Sequence, residues 1–360
     1  MIIAVCRNTL IICLYLLVAA CASKPLIPHS NEAAPLILLP ASQAGIRDDR
    51  GRFREIFCAA TRDHGMELPD FRSCETALVA MGQEPPGTGE PVELGATDAE
   101  FLTLIVPGLG WECMQRWLDL ADSSGDHVED LGYRIDLLDV DGLSGSANNA
   151  RQIRDGLAAL PGGDADRPIV LIGYSKGTPD IMEALVTYPE VSERVVAVVS
   201  IAGAVGGSPL ANNASQAQAN LFTRVPKSEC DEGDGGAIQS LRTTERRQWL
   251  ADNTLPPHIR YYSIVTSPEP NRISNAVAGA YRQLSKVDGR NDSQVLHYDQ
   301  IIPDSTLLAY INADHLAAAV PIKRQHEMAG KTLFNHNDYP REVMIESILR
   351  YLEEDLARSP

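Results

Sequence analysis

The chain has 360 residues, of which 44% are hydrophobic and 22% charged, and its formal net charge is −17 at pH 7. A chain of this length and composition can form a globular protein with a full core and one insertion. The strong negative charge argues against binding to nucleic acid or to an anionic membrane surface by electrostatic attraction.

The first twenty residues have the pattern of an export signal. Arg7 is the only charged residue, and the apolar run from Leu10 to Ala20 follows it. This run is shorter than the roughly 20 residues that a membrane-spanning helix needs, but it fits the core of a signal peptide. Residues 1–20 are therefore predicted to be a signal peptide.

The end of this run, Leu17-Val18-Ala19-Ala20-Cys21, resembles the lipobox of bacterial lipoproteins. In those proteins the cysteine becomes the lipidated first residue of the mature chain. The resemblance implies that Cys21 carries lipid and that the protein is anchored in the bacterial cell envelope, at the periplasmic face or the outer membrane. The alternative is a simple secretory signal that is cut near Ala20 or Ala22.

The cysteines also indicate export. Of the seven in the chain, two lie in the predicted signal peptide and Cys21 would carry the lipid. The even number that remains suggests two disulfides in an exported protein. We prefer Cys58 with Cys74, within one helical segment, and Cys113 with Cys230, and free buried cysteines are the alternative. No cysteine pair has C-x-x-C spacing, so no metal is expected.

Two segments precede the predicted core. Residues 21–40 are rich in proline and poor in charge, which predicts a tether between the lipid and the folded body. Residues 41–97 are predicted to form an N-terminal helical segment, with Phe53 and Phe57 on one face, followed by a linker rich in proline and glycine. The helical segment could pack across the core or over its functional site.

From residue 98 onward, apolar strands alternate with helices of about 10 to 15 residues. Such alternation predicts an α/β fold with a mostly parallel central sheet that is flanked by helices. A polar stretch, residues 208–257, divides the predicted core into residues 98–207 and 258–360. The predicted strands are Phe101–Val106, Tyr133–Val140, Ile169–Ile172, Val195–Ile201, Ile259–Val265 and Thr306–Ile311.

The third of these strands ends in Gly173-Tyr174-Ser175-Lys176-Gly177, and a helical pattern follows. A strand, a tight G-x-S-x-G turn and a helix in this order are typical of a nucleophile elbow, with Ser175 exposed at the carboxyl end of the strand. Glycines at the outer positions leave room where side chains would collide with the packed strand and helix. With this motif, the chain resembles the α/β-hydrolases of the bacterial lipase and esterase kind over about residues 98–355.

The resemblance implies a base and an acid, because a serine hydroxyl is a poor nucleophile at neutral pH. In this family both follow the nucleophile in the chain. His315 comes directly after the last predicted strand, where the family has its base. We prefer Asp292 as the acid, since Asn291-Asp292-Ser293 is similar to the N-D-G turn of bacterial lipases. Asp299 is the alternative, because DQIIPDS resembles a D-x-x-V-P-x-S pattern of other family members.

Two further features come from the same resemblance. Pro107-Gly108-Leu109-Gly110 is similar to the H-G-x-G loop of the family, which implies an oxyanion hole formed by the backbone N–H groups of Leu109 and Lys176. We expect the side chain of Lys176 to point into solvent. Residues 208–257 resemble the cap or lid of lipases, and a surface excursion without a gating role is the alternative.

Together these features imply a cell-envelope serine hydrolase that cleaves small-molecule or lipid carboxylic esters through an acyl-enzyme. No cofactor and no nucleic-acid partner are expected, and contact with the membrane would come from the lipid anchor. The alternatives are an acyltransferase or thioesterase that uses the same residues, and a non-catalytic, lipid-anchored binding protein on a hydrolase scaffold.

Overall fold

The computed structural model describes residues 45–114, 124–164, 167–219 and 232–358. The predicted signal peptide, Cys21 and the tether lie outside these residues. Among the helices that are described, none combines the length and the apolar character needed to cross a membrane.

Seven strands form one sheet in which every pair of neighbours is parallel, in the order β1-β7-β6-β5-β4-β2-β3. The central strands are apolar runs that are buried on both faces, as parallel sheets require. The predicted α/β class, with a parallel central sheet flanked by helices, is confirmed. The strands are β1 (Arg47–Asp48), β2 (Leu102–Val106), β3 (Arg134–Leu137), β4 (Ile169–Tyr174), β5 (Val195–Ile201), β6 (Arg260–Thr266) and β7 (Thr306–Ile311).

The helices of the described residues connect and cover these strands. They are α1 (Arg50–Asp63), α2 (Cys74–Ala77), α3 (Trp111–Met114), α4 (Ser124–Asp130), α5 (Ser146–Ala158), α6 (Gly177–Thr187), α7 (Pro189–Ser192), α8 (Gln216–Ala219), α9 (Ala237–Ser240), α10 (Thr243–Asp252), α11 (Ala278–Leu284), α12 (Ile322–Gln325), α13 (Glu327–Thr332) and α14 (Arg341–Ala357). Short 3₁₀ turns cover Pro270–Arg272 and His297–Gln300.

Two apolar cores lie on the two faces of the sheet. Alternate residues of β4 point to opposite faces, because side chains alternate along a strand. Ile172 packs on one face in a cluster with Phe57 of α1 and Ile348 of α14. Leu171 packs on the other face in a cluster with Ile153 of α5. The strand that carries the G-x-S-x-G turn is therefore held from both sides.

The N-terminal segment adds to the edge of the sheet and to one of its faces. Strand β1 pairs with β7, and α1 packs against α14, where Arg52 forms a salt bridge of 2.6 Å with Glu354. The two residues of β1 are charged and carry no strand pattern of their own, so they were not predicted. The predicted disulfide between Cys58 and Cys74 is confirmed.

The second predicted disulfide falls partly outside the described residues. Cys113 is disulfide-bonded and 3% exposed. Its predicted partner, Cys230, lies in the part of the chain that the structure does not describe.

The described parts of the polar stretch, residues 208–219 and 232–257, pack against the core. Trp249 of α10 packs against the core cluster on the α5 face of the sheet. Arg246 on the same helix is buried, and its Nε donates to the backbone oxygen of Val205 at 3.0 Å. Burial lowers the pKa of the Arg246 guanidinium to about 10. Helix α10 is therefore anchored on the sheet by both apolar and polar contacts.

Candidate active site

Three of the predicted functional residues meet at the carboxyl edge of the sheet. Ser175 directly follows β4, and His315 follows β7 after a short turn. Asp292 lies in a turn that an isolated bridge closes between Asn291 and Leu296. Because parallel strands end at the same edge, residues that are far apart in the chain come together there.

The turn at Ser175 is tightly packed and has an unusual backbone conformation. The φ of Ser175 is 53°, in the left-handed region that non-glycine residues rarely adopt. A Cβ on Gly173 would lie 2.7 Å from the Cα of Thr178, and one on Gly177 would lie 2.0 Å from the backbone oxygen of Val106. The glycines are thus required by close packing, and the strained serine presents its hydroxyl at the edge of the sheet.

A continuous hydrogen-bonded path joins Ser175, His315 and Asp292. The Nε2 of His315 lies 2.8 Å from the Oγ of Ser175, and its Nδ1 lies 2.7 Å from Oδ2 of Asp292. Asp292 is fully buried, and His315 is 4% exposed. A carboxylate can only accept, so we assign the imidazole proton to Nδ1. Nε2 is then free to accept a proton from the serine hydroxyl.

The Asp292 carboxylate is fixed by donors on both oxygens. Oδ1 accepts the backbone N–H groups of Gln294 and Val295 at 2.8 and 2.7 Å. Oδ2 accepts the hydroxyl of Thr266 and, at 3.3 Å, the side-chain amide of Gln300. Hydrogen bonds of this kind stabilise the negative charge and hold the carboxylate plane in place. Thr266 and Gln300 were not identified from the sequence.

Asp299, the alternative acid, lies beside a glycine and not beside the imidazole. A Cβ on Gly206 would lie 2.3 Å from its Oδ1, and its Oδ2 has no hydrogen-bond partner within the described ranges. Burial raises the pKa of the Asp299 carboxyl to about 7. The acid that contacts His315 is therefore Asp292, while the segment that suggested Asp299 contributes Gln300.

The loop after β2 lies directly against the serine. A Cβ on Gly108 would lie 2.9 Å from the Cβ of Ser175. The loop is anchored by the backbone N–H of Gly110, which donates to the backbone oxygen of Gly142 at 3.1 Å. Within the part of the chain that the structure describes, the backbone N–H groups of Leu109 and Lys176 have no acceptor. Neither N–H is therefore committed to a backbone acceptor of the described residues.

The side chain of Lys176 is buried, so the expectation that it points into solvent is wrong. Its Nζ lies 2.7 and 3.0 Å from the two carboxylate oxygens of Asp180, and both side chains are 1% exposed. Asn149 also donates to Asp180, at 2.7 Å. Asp180 lies one helical turn after Lys176, which lets the two charges pair beneath the turn instead of in water.

Tyr174, the residue before the serine, holds the backbone of His315 through a hydrogen bond. Its hydroxyl donates to the backbone oxygen of His315 at 2.7 Å, and burial raises its pKa well above the usual range. The same ring lines a cavity of about 380 Å³, together with Pro107 and Trp111. The G-x-S-x-G pattern leaves this position open, so its role could not be read from the motif.

No protein-family model and no curated protein matches the sequence. Among solved structures, a metagenomic carboxyl esterase is 40% identical to this chain, with a TM-score of 0.81, and the match covers 92% of this chain and 100% of that one. The lipase of Staphylococcus hyicus is 12% identical, with a TM-score of 0.52 and coverage of 75% and 100%. The second likeness concerns the fold alone.

Proposed function

The chain belongs to the same family as this carboxyl esterase, within the α/β-hydrolases, and on that premise we propose that it hydrolyses carboxylic esters by a serine mechanism. The observation that carries the proposal is the path of 2.8 and 2.7 Å contacts from Ser175 through His315 to Asp292. A nucleophile, a base and an orienting acid in this geometry are the arrangement that acyl transfer needs.

In the first half of the reaction, the Oγ of Ser175 attacks the ester carbonyl carbon while its proton passes to Nε2 of His315. The carbonyl oxygen becomes negative and accepts the N–H groups of Leu109 and Lys176. Asp292 stabilises the imidazolium without taking the proton itself. The carbon–oxygen bond to the alcohol then breaks, and His315 returns the proton to the leaving oxygen.

In the second half, water replaces the alcohol. His315 takes a proton from the water, the resulting hydroxide attacks the acyl-enzyme, and the same two N–H groups hold the second oxyanion. The bond between the acyl group and Ser175 breaks, His315 returns the proton to the Oγ of Ser175, and the carboxylic acid leaves. No residue changes its net protonation over the cycle.

The first test is hydrolysis of p-nitrophenyl esters from acetate to palmitate by wild type and Ser175→Ala. We expect wild-type activity and a loss in kcat of at least about 10⁴-fold in the variant. Ser240→Ala is the matched control, because its hydroxyl only caps the backbone oxygen of Ala237 at 2.9 Å. The chain-length optimum then separates a lipase from a short-acyl esterase.

Labelling with a fluorophosphonate separates this proposal from its alternatives. Labelling of Ser175 together with hydrolysis supports the esterase. Labelling without hydrolysis of any ester would favour an acyltransferase or thioesterase, since the nucleophile would be active towards another acceptor. Failure to label would favour a non-catalytic binding protein.

We further propose that Cys21 carries a lipid and holds the enzyme in the cell envelope. The support is the lipobox-like sequence that ends at Cys21, which lies outside the described residues. In a bacterial host, the wild-type chain should fractionate with membranes and Cys21→Ser should not. Equal fractionation of the two would contradict the anchor and leave the hydrolase proposal untouched.

A further inference from the structure

A second group of titratable side chains lies apart from the candidate active site, where α1, α4 and α14 meet. His64 follows α1 as its C-cap, His127 lies in α4 and Glu346 lies in α14. One nitrogen from each histidine and one carboxylate oxygen all lie within 4.8 Å of one another. The Glu346 side chain is fully buried, while the two histidine side chains are 18% and 17% exposed.

One oxygen of this carboxylate faces both imidazoles. The Nε2 of His64 lies 2.5 Å from Oε2 of Glu346, and the Nε2 of His127 lies 2.8 Å from the same atom. Either both nitrogens carry protons that point at this oxygen, or one cation stands in place of the two protons. The other oxygen, Oε1, accepts the Nε of Arg350 at 2.7 Å.

The surroundings of His64 favour a cation. Its Nδ1 faces Oδ2 of Asp63 at 3.2 Å, so both of its ring nitrogens face carboxylate oxygens. A neutral imidazole has a single N–H to donate. If the ring is neutral and that proton goes to Asp63, the lone pair of Nε2 is aimed at Glu346, and a positive ion between them makes the contact attractive. An imidazolium that donates to both carboxylates is the competing arrangement.

We propose that His64, His127 and Glu346 bind one divalent transition-metal ion, with zinc as the representative. Two imidazole nitrogens and one carboxylate oxygen are ligands that zinc accepts, with bonds of about 2.0 to 2.2 Å. Ligand atoms around a tetrahedral ion at that bond length lie about 3.3 Å apart, so each contact must open by less than about 1 Å. Water can take the fourth position on the side of the two partly exposed histidines.

The outer contacts fit the same ion. Asp63 would hold the Nδ1 proton of His64, and Arg350 would fix the free oxygen of Glu346, as second partners do around metal ligands. Imidazole ligands select zinc and its neighbours over calcium or magnesium, which prefer oxygen. Because the three ligands come from three helices, the ion would tie the N-terminal segment to α4 and α14. The proposal is independent of the ester chemistry.

The test uses untagged full-length protein that is stripped with a chelator and then loaded with Zn²⁺. After gel filtration in zinc-free buffer, elemental analysis should find about one zinc per wild-type chain. At about 100 times the dissociation constant, Zn²⁺ should raise the melting temperature by about 5 °C. Ester hydrolysis measured in the same samples should not depend on zinc.

Variants identify the ligands. His127→Ala and Glu346→Gln should each lose the bound zinc and the shift in melting temperature. His258→Ala should keep both, because the hydrogen-bond partner of the His258 ring is the backbone oxygen of Ser192, at 2.8 Å, and not a metal-ligating side chain. Asp63→Asn leaves the ligands in place and should weaken zinc binding by about tenfold, which provides a milder test if a ligand variant fails to fold.

The proposal is overturned if wild type binds no zinc under these conditions, since the imidazoles would then carry the protons themselves. It is also overturned if Glu346→Gln and His127→Ala, folded as judged by circular dichroism, retain zinc as well as wild type does. In that case the binding would be adventitious and located elsewhere.

Discussion

Two fully buried carboxylates contact histidine rings in this protein, Asp292 one ring and Glu346 two, and the two groups differ in what lies beyond the ring. Asp292 contacts Nδ1 of His315 at 2.7 Å, and the other nitrogen of that ring faces the hydroxyl of Ser175. Glu346 contacts Nε2 of His64 at 2.5 Å, and the other nitrogen of that ring faces a second carboxylate. The third member is a proton donor in one group and an acceptor in the other.

This difference decides what each group can do. A carboxylate, an imidazole and a hydroxyl in series can pass a proton from the hydroxyl to the ring, which creates a nucleophile. A carboxylate, an imidazole and another carboxylate contain no hydroxyl that could be turned into a nucleophile, and the same side chains are suited to hold a cation. A histidine paired with a buried carboxylate is thus not evidence for catalysis until its second nitrogen is examined.

The largest expected effect is on kcat, and it separates the group around Asp292 from the group around Glu346. Asp292→Asn should lower kcat by about 10⁴-fold, because the amide no longer selects the imidazole tautomer that accepts the serine proton. Glu346→Gln removes the matching charge in the second group and should change kcat by less than about twofold, since it touches no reacting atom. Ester hydrolysis by the two variants gives the comparison. Similar losses in both would show that the two groups are coupled.

The buried carboxylate of Asp180 pairs with a lysine, Lys176, instead of a histidine, and it extends the comparison to the free energy of unfolding. Asp180→Ala leaves the Nζ of Lys176 buried without its partner and should lower the free energy of unfolding by about 3–5 kcal/mol. The double variant Lys176→Met, Asp180→Leu should lose less, because both charges are removed together. Denaturant unfolding measures both changes. A double variant as unstable as the single one would mean that packing, not charge, sets the cost.

Asp299 provides a buried carboxylate that has no charged partner at hydrogen-bond distance among the described residues. Its pKa of about 7 lies above the ordinary value of 3.8, so the folded protein binds this proton more tightly than the unfolded chain does. The group therefore contributes a loss of stability that grows as pH rises from about 4 to 7 and stays constant above it. Asp299→Asn should raise the free energy of unfolding by about 2 kcal/mol at about pH 8, and the gain should disappear near pH 4.

Urea unfolding of wild type and Asp299→Asn across this pH range measures that gain. The hydrolytic activity of Asp299→Asn should stay close to that of wild type, because Asp299 does not contact His315. A gain in stability that is independent of pH would show that the carboxyl does not titrate as described. A large loss of activity would reopen Asp299 as the acid.

The smallest expected effect concerns the turn that holds Asp292. Ser293 has a φ of 85°, and its buried hydroxyl has no hydrogen-bond partner in the described ranges. Ser293→Gly should relieve both costs and raise the free energy of unfolding by about 0.5–1 kcal/mol, with activity retained. Ser285→Gly is a control that should not stabilise the protein, because the hydroxyl that it removes donates to the backbone oxygen of Tyr281 at 2.7 Å in the wild type. Thermal unfolding measures both variants.

The parts of the molecule that could be predicted are those that local sequence determines. The parallel sheet could be predicted from the alternation of apolar strands and helices, because each strand carries its own apolar pattern in the sequence. Ser175 stood out because the strand, turn and helix around it are contiguous. His315 could be singled out because it follows the last strand.

The remaining features depend on how distant segments meet. Asp292 could be preferred over Asp299, but Asp299 could not be excluded, since the choice rests on how the turn that carries Asp292 folds back towards β7. Burial of Lys176 follows from a partner one helical turn away, a spacing that is equally common on exposed helix faces. The group around Glu346 draws on three helices, and no local pattern joins them. The expectation that the chain has no zinc site rested on the absence of cysteine pairs with C-x-x-C spacing.

The pairing of the first strand with the last also constrains the order in which the chain can fold. The guanidinium of Arg47 in β1 contacts the carboxylate of Asp355 at 2.9 Å across 308 positions of sequence. Strand β1 and helix α1 come before the rest of the fold in the chain, but their partners β7 and α14 are the last strand and the last helix. Contacts of such high sequence separation slow folding and leave early segments exposed. A chain that ends before α14 would lack part of the surface against which the apolar face of α1 packs, so this edge of the fold is completed only by the last helix.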